Sequence, residues 1–231
     1  ILGIIQGNSE LASRGLSDPK EVLEKIHGAT ERGRSLVLQL LSFSRKTKSS
    51  KKHFDPVSLI KEVLVFMRST MPASIDIVEN IECGNVQIIG DPTQIYQVFM
   101  NLCTNANQAM GEEGGVLSVG MKNLSIIKDQ ASQLSINSGS YLEVIIQDTG
   151  IGMTEAVQER IFEPFFTTKQ KMKGTGLGLS VVHGAVQACD GAIQVESKQG
   201  KGTTFKVYLP VIDAQTETEI DEDKNNSVQR G

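Results

Sequence analysis

The chain has 231 residues, a formal net charge of −4, 39% hydrophobic and 22% charged residues. That is the make-up of a soluble globular protein, sized for one large domain or two modest ones. The charge gives no global basic field for nucleic acid, no apolar run is long enough to span a membrane, and nothing at the N-terminus resembles a signal peptide.

Ile1 to Ala12 is apolar at helical spacing without a start signal, and is expected to be the end of a longer helix cut short. Ser17-Asp18-Pro19 marks a turn with proline near the first helical position. From Lys20 to Lys46, Val22, Ile26, Ala29, Gly33, Leu36, Leu40 and Phe43 alternate four and three apart, which is a heptad seam. One stripe on a long helix has to bury against partner helices, so a helical hairpin in a dimeric bundle is expected; packing on its own domain is the alternative. Arg45 to Lys52 is basic and reads as a solvated linker rather than a nucleic-acid patch.

Phe54-Asp55-Pro56-Val57 opens a new unit, with a helix over Val57 to Ser69. Ser74 to Ile81 and Val86 to Ile89 alternate as strands around a Cys83-Gly84-Asn85 turn. Asp91-Pro92 caps a helix that runs through Met110 and is ended by Gly111 to Gly115. Val116 to Ile127 and Tyr141 to Gln147 are strands joined by a polar, exposed loop. A helix from Leu177 precedes a hairpin of Ala192 to Glu196 and Thr203 to Leu209. Asp213 to Gly231 is acidic and without aromatics, a disordered tail or linker. The cysteines, Cys83, Cys103 and Cys189, lack metal-ligand spacing and read as small hydrophobes in a reducing, cytoplasmic compartment.

Chemistry gathers between Asp148 and Ser180. Asp148 ends a buried strand, and Gly150 and Gly152 after it let backbone approach a ligand. Gly174, Gly176 and Gly178 lead into a helix whose free N–H groups suit phosphate. Each cluster by itself reads sooner as a tight turn of an α/β domain; their order together points to a nucleotide. Asn101 and Asn105 lie four apart on one helix face, with Asn107 on another. Amides in an apolar helix need partners, either backbone or, as an oxygen ligand shared with phosphate, Mg²⁺. An ionised Asp148 accepts hydrogen bonds, so it suits an exocyclic amine such as adenine N6, and Thr204 is placed to complete the base contact. No Walker sequence occurs, which excludes a P-loop.

These pieces resemble the sensor histidine kinases, within the wider ATPase fold shared with DNA gyrase. Gln97-Val-Phe-Met-Asn-Leu-Cys-Thr-Asn-Ala resembles the N box, Asp148-Thr-Gly-Ile-Gly-Met the first G box, and Ile161-Phe-Glu-Pro-Phe-Phe-Thr-Thr-Lys the F box. Gly174-Thr-Gly-Leu-Gly-Leu-Ser and Gly202-Thr-Thr-Phe resemble the second and third G boxes, so the likeness covers Phe54 to about Val211. It implies an α+β fold, a two-layer α/β sandwich with a mixed sheet and helices on one face, preceded by an α-helical hairpin. The implied organisation is a truncated dimerisation hairpin at 1–48, a linker at 49–53, an ATP-binding domain at 54–212 and the tail at 213–231.

By the same resemblance Asn105 holds Mg²⁺, Asp148 takes adenine N6, and Thr204 lies near the base. Gly150, Gly152, Gly174, Thr175, Gly176, Leu177, Gly178 and Leu179 shape the ATP pocket. Phe162 to Lys173 forms a lid from which Lys169 or Lys173 meets the γ-phosphate. Asn101, Asn105 and Lys169 are then the catalytic set. Where the gyrase branch has a water-activating glutamate, four residues before the Mg²⁺ ligand, this chain has Asn101, which favours transfer over hydrolysis. The expected reaction is γ-phosphoryl transfer from ATP to a histidine, with a response-regulator receiver domain and a second copy of the chain as partners. A hydrolysing gyrase- or chaperone-type ATPase and a nucleotide-sensing dimerisation module are the rivals. The acceptor histidine is expected upstream of Ile1, leaving His27, His53 and His183 without that role, and a receiver domain is a candidate to follow the tail.

Overall fold

The computed structural model describes residues 2–14, 18–23, 25–26, 51–168 and 175–212. The chain divides into two compact units, Ile1–Lys48 and Ser49–Gly231. In the first, α1 spans Leu2–Ser13, and the backbone is helical again at 19–23 and 25–26. Val22 is buried, Ile26 is half-buried and Leu23 is exposed, which fits the start of the heptad stripe. The rest of that stripe, with His27, lies outside the described residues.

The second unit is built on a five-stranded mixed sheet of order β2-β4-β5-β7-β6, formed by Ile75–Ile81, Gly115–Ile126, Gly139–Asp148, Gly202–Pro210 and Ala192–Lys198. β2 pairs parallel to β4 and every other pair is antiparallel. A separate two-stranded sheet joins β1 (Lys52–Phe54) to β3 (Ile88–Gly90).

Strand alternation sends one set of side chains to the helices. Leu117, Val119 and Met121 of β4, Leu142, Val144 and Ile146 of β5, and Phe205, Val207 and Leu209 of β7 are buried in the main core. Over them pack α2 (Pro56–Thr70), α3 (Pro92–Met110) and α6 (Gly178–Ala188), whose buried residues include Ile60, Leu64, Ile95, Phe99, Leu102 and Val182. Asp55 and Asp91 begin α2 and α3 in the same way. Each aspartate occupies the N-cap with proline next, and its carboxylate accepts first-turn N–H groups. Two short helices are also present among the described residues, α4 (Lys128–Leu134) and α5 (Glu155–Gln158).

Three local expectations change. The Cys83-Gly84-Asn85 turn does not join neighbouring strands, because β2 pairs with β4 while β3 pairs with β1. Residues 52 and 53, expected in the linker 49–53, form β1 together with Phe54. The polar loop after β4 contains α4, whose Ala131 packs with Ile126, Tyr141 and Tyr208 on the opposite sheet face.

Candidate functional site

Asp148 continues the inward row of β5, so its carboxylate faces the helical layer in line with Ile146 and Val144. It is 4% exposed, between Leu117 of β4 and Thr203 of β7, its register partners. The Gly150 N–H donates to its Oδ1 at 2.8 Å. Burial pushes the carboxyl above its ordinary range, and the N–H groups of Gly150 and Thr203 oppose that by favouring the ionised form. The result is a fixed, buried acceptor.

The turn after Asp148 is welded to α3. The Ile151 N–H donates to the Ala109 carbonyl at 3.1 Å, and the Thr149 hydroxyl accepts the Val116 N–H at 3.0 Å. Glycine is required at position 150, where a Cβ would come within 2.5 Å of the Ala109 main chain. Gly152 follows in the same turn, and the Met153 N–H donates to Ser197 Oγ at 2.8 Å.

Near the middle of α3 the Asn101 amide donates to the Gly178 carbonyl at 3.3 Å and ties α3 to the first turn of α6. Leu177, at the α6 N-cap, supplies no side-chain hydrogen bond, and among the described residues no side chain caps the first N–H groups of that helix, an arrangement that suits an anion. Gly176 turns with φ +68 against the Phe165 main chain, where a Cβ would clash at 2.4 Å. Thr175 and Leu179 flank this turn. The α3 helix is therefore one wall running from Asn101 and Gly178 to Ala109 and Gly150. From Asn101 to Ala109 the helix rises about 12 Å, and Asn105, half-buried, stands midway.

Lys169, Lys173 and Gly174 lie outside the described residues. Thr204 needs correction. Thr203 and Phe205 point inward, so Thr204 projects to the opposite sheet face with Lys206, and Thr203 is the hydroxyl beside Asp148. Phe205 was the available signal, because a core aromatic fixes the parity of the strand. His183 is half-buried with its ring centroid 5.1 Å from that of Phe162, and His53 lies in β1 and is exposed.

Among the described residues no group of three or more His, Cys, Asp or Glu side chains could hold a metal. A cation here would rely on an amide oxygen and on the phosphates of its nucleotide, a donor set that suits Mg²⁺. No described helix is long and apolar enough to cross a membrane.

A sequence profile of the histidine kinase-, DNA gyrase B- and HSP90-like ATPases matches residues 90–213. The chain belongs to that family, whose domain binds ATP, and the matched residues include α3, the Asp148 turn and the α6 N-terminus. Among curated relatives, "Sensor kinase CckA" of Brucella abortus is 35% identical over 213 residues, which are 90% of this chain and 22% of that protein. The chain thus spans about a fifth of that relative's length. The nucleotide-free catalytic domain of histidine kinase ThkA is 28% identical, with a TM-score of 0.57 over 70% of this chain and 95% of that one. The complex of ThkA with the response regulator protein TrrA aligns at 25% identity, a TM-score of 0.67, and 91% and 57% coverage.

Proposed function

We propose that this chain carries the catalytic domain of a sensor histidine kinase, which binds Mg-ATP and transfers its γ-phosphoryl group to a histidine for relay to a response-regulator aspartate. The observation that carries this reading is the buried Asp148 acceptor, joined by one continuous helix to the uncapped α6 N-terminus. Adenine N6 donates to Asp148. The phosphates lie toward Gly176, Leu177 and Gly178 with Lys169 or Lys173 as the γ-phosphate cation, and the Asn105 oxygen holds Mg²⁺.

Bound Mg²⁺ supplies charge neutralisation on the phosphates. The residues of this chain position the nucleotide and exclude water, so their contribution is orientation and fixed dipoles. In the transfer the acceptor imidazole nitrogen bonds to the γ-phosphorus as the bond to the β–γ bridging oxygen breaks, and ADP leaves with that electron pair. Residues 1–48 are read as part of the hairpin through which two copies pair, and the domain at 54–212 as the nucleotide-binding part.

Asn101 favours this reading over a hydrolysing ATPase. Its amide is not basic, and its hydrogen is engaged by Gly178. The test is incubation with γ-labelled Mg-ATP and a separately supplied acceptor hairpin. Acid-labile, base-stable label on the hairpin histidine supports kinase chemistry; fast release of inorganic phosphate with no labelled protein would identify the hydrolytic alternative.

A further inference from the structure

The hydroxyl of Ser197, at the end of β6, has every valence committed. It accepts the Met153 N–H at 2.8 Å, donates to the Gly202 carbonyl at 3.0 Å and lies 2.9 Å from Thr203 Oγ1. A serine hydroxyl offers one hydrogen and two lone pairs. A carbonyl only accepts, so the Ser197 hydrogen goes to Gly202. The Met153 N–H takes one lone pair, and the other is left for the hydrogen of Thr203. The contact between the two hydroxyls, ambiguous from its length, thereby acquires a direction: Thr203 donates and Ser197 accepts.

Thr203 is then left with lone pairs alone. It is 6% exposed and is the register partner of Asp148, itself an acceptor when ionised. We infer that Ser197 is a positioning residue for base specificity: by engaging the Thr203 hydrogen it makes the buried floor beside Asp148 accept hydrogen bonds and donate none. The inference rests on the nucleotide reading of this site. Such a floor takes a purine carrying an amine at position 6 and repels one carrying a carbonyl there. The same hydroxyl joins the Asp148 turn, through Met153, to the start of β7. Gln158 secures the end of β6 by donating from Nε2 to the Ser197 main-chain carbonyl at 3.0 Å.

Equilibrium titrations with ATP and with inosine triphosphate, its 6-oxo counterpart, test the proposal. In Ser197→Ala the Thr203 hydroxyl is released to rotate and donate, so the preference for ATP over inosine triphosphate should fall by roughly five- to tenfold, the worth of one hydrogen bond. Ser197→Thr keeps the hydroxyl and should keep the preference. Thr203→Val removes the other end of the contact. It should lower the preference by itself, and adding Ser197→Ala should then change the ratio no further. Should Ser197→Ala fail to fold, Thr203→Val and Ser197→Thr carry the test, and an unchanged ratio in Thr203→Val would overturn the proposal. So would equal weakening of both nucleotides in Ser197→Ala, or a wild type that binds ATP without preferring it. A wild type that binds no ATP would refute the nucleotide reading itself, and this inference with it.

Discussion

The Asp148 carboxyl sits in a nearly closed position, and its raised pKa reflects the cost of ionising it there. Between its ordinary value of 3.8 and its higher native value, the folded chain binds more protons at this group than the unfolded chain does. Protonation therefore favours the native state, and the group's destabilising contribution, full above the native pKa, fades as pH falls through it. Asp148→Asn removes that titration. Urea unfolding at pH 7 and at pH 4.5 should show wild type gaining on the variant at the lower pH; a pH-independent difference would contradict the burial cost. Asn105→Ala should weaken ATP binding about tenfold with Mg²⁺ present, or ~1.4 kcal/mol, and leave binding in a chelator unchanged. Equal loss in both conditions would contradict the metal role. Asp148, the glycines and the asparagine pair were legible in the sequence because residue type and spacing alone announce them. Thr203 was missed because two adjacent threonines differ only in parity, and Ser197 because its partners Met153 and Gly202 come together only in the folded chain.

At the scale of elements, α3 does most of the organising. Its N-terminus is capped by Asp91, which accepts the Thr93 N–H at 2.9 Å, and its C-terminal carbonyl at Ala109 receives the Ile151 N–H. Asp91→Ala should cost about 1 kcal/mol, seen as a lower denaturation midpoint with nucleotide affinity little changed. Gly150→Ala should behave differently. Its new methyl meets the Ala109 main chain, which cannot rotate away, so a loss of about 1–3 kcal/mol should come with weakened ATP binding. Unaltered affinity there would mean that the turn does not shape the site. Helix α3 was readable because a cap, a proline and a terminating glycine bracket its apolar stripe. The pairing of β2 with β4 was not, because strand partners are chosen by tertiary packing rather than by the nearest turn. Helix α4 was hidden by its length: seven mostly polar residues offer too little periodicity to stand out from a loop.

For the whole molecule, the fold class followed from the resemblance carried by the five ordered motifs, with the alternating strands and amphipathic helices agreeing with it. The main core gathers the inner sheet face and the helices over it into one cluster. A ligand that binds only the native state stabilises this unit as a whole. At a hundred times its dissociation constant, ATP should add about 2.7 kcal/mol and raise the melting temperature by about 5–10 °C, which a thermal shift assay reads directly. A melt unmoved by ATP would argue against a native-state site.

The most direct test of the account is a calorimetric titration of Mg-ATP into the wild-type chain and into Asp148→Ala, with circular dichroism to check that the variant remains folded. The account predicts saturable binding by the wild type and none by the folded variant. Retained affinity in Asp148→Ala would contradict the assignment of this buried carboxylate as the adenine acceptor.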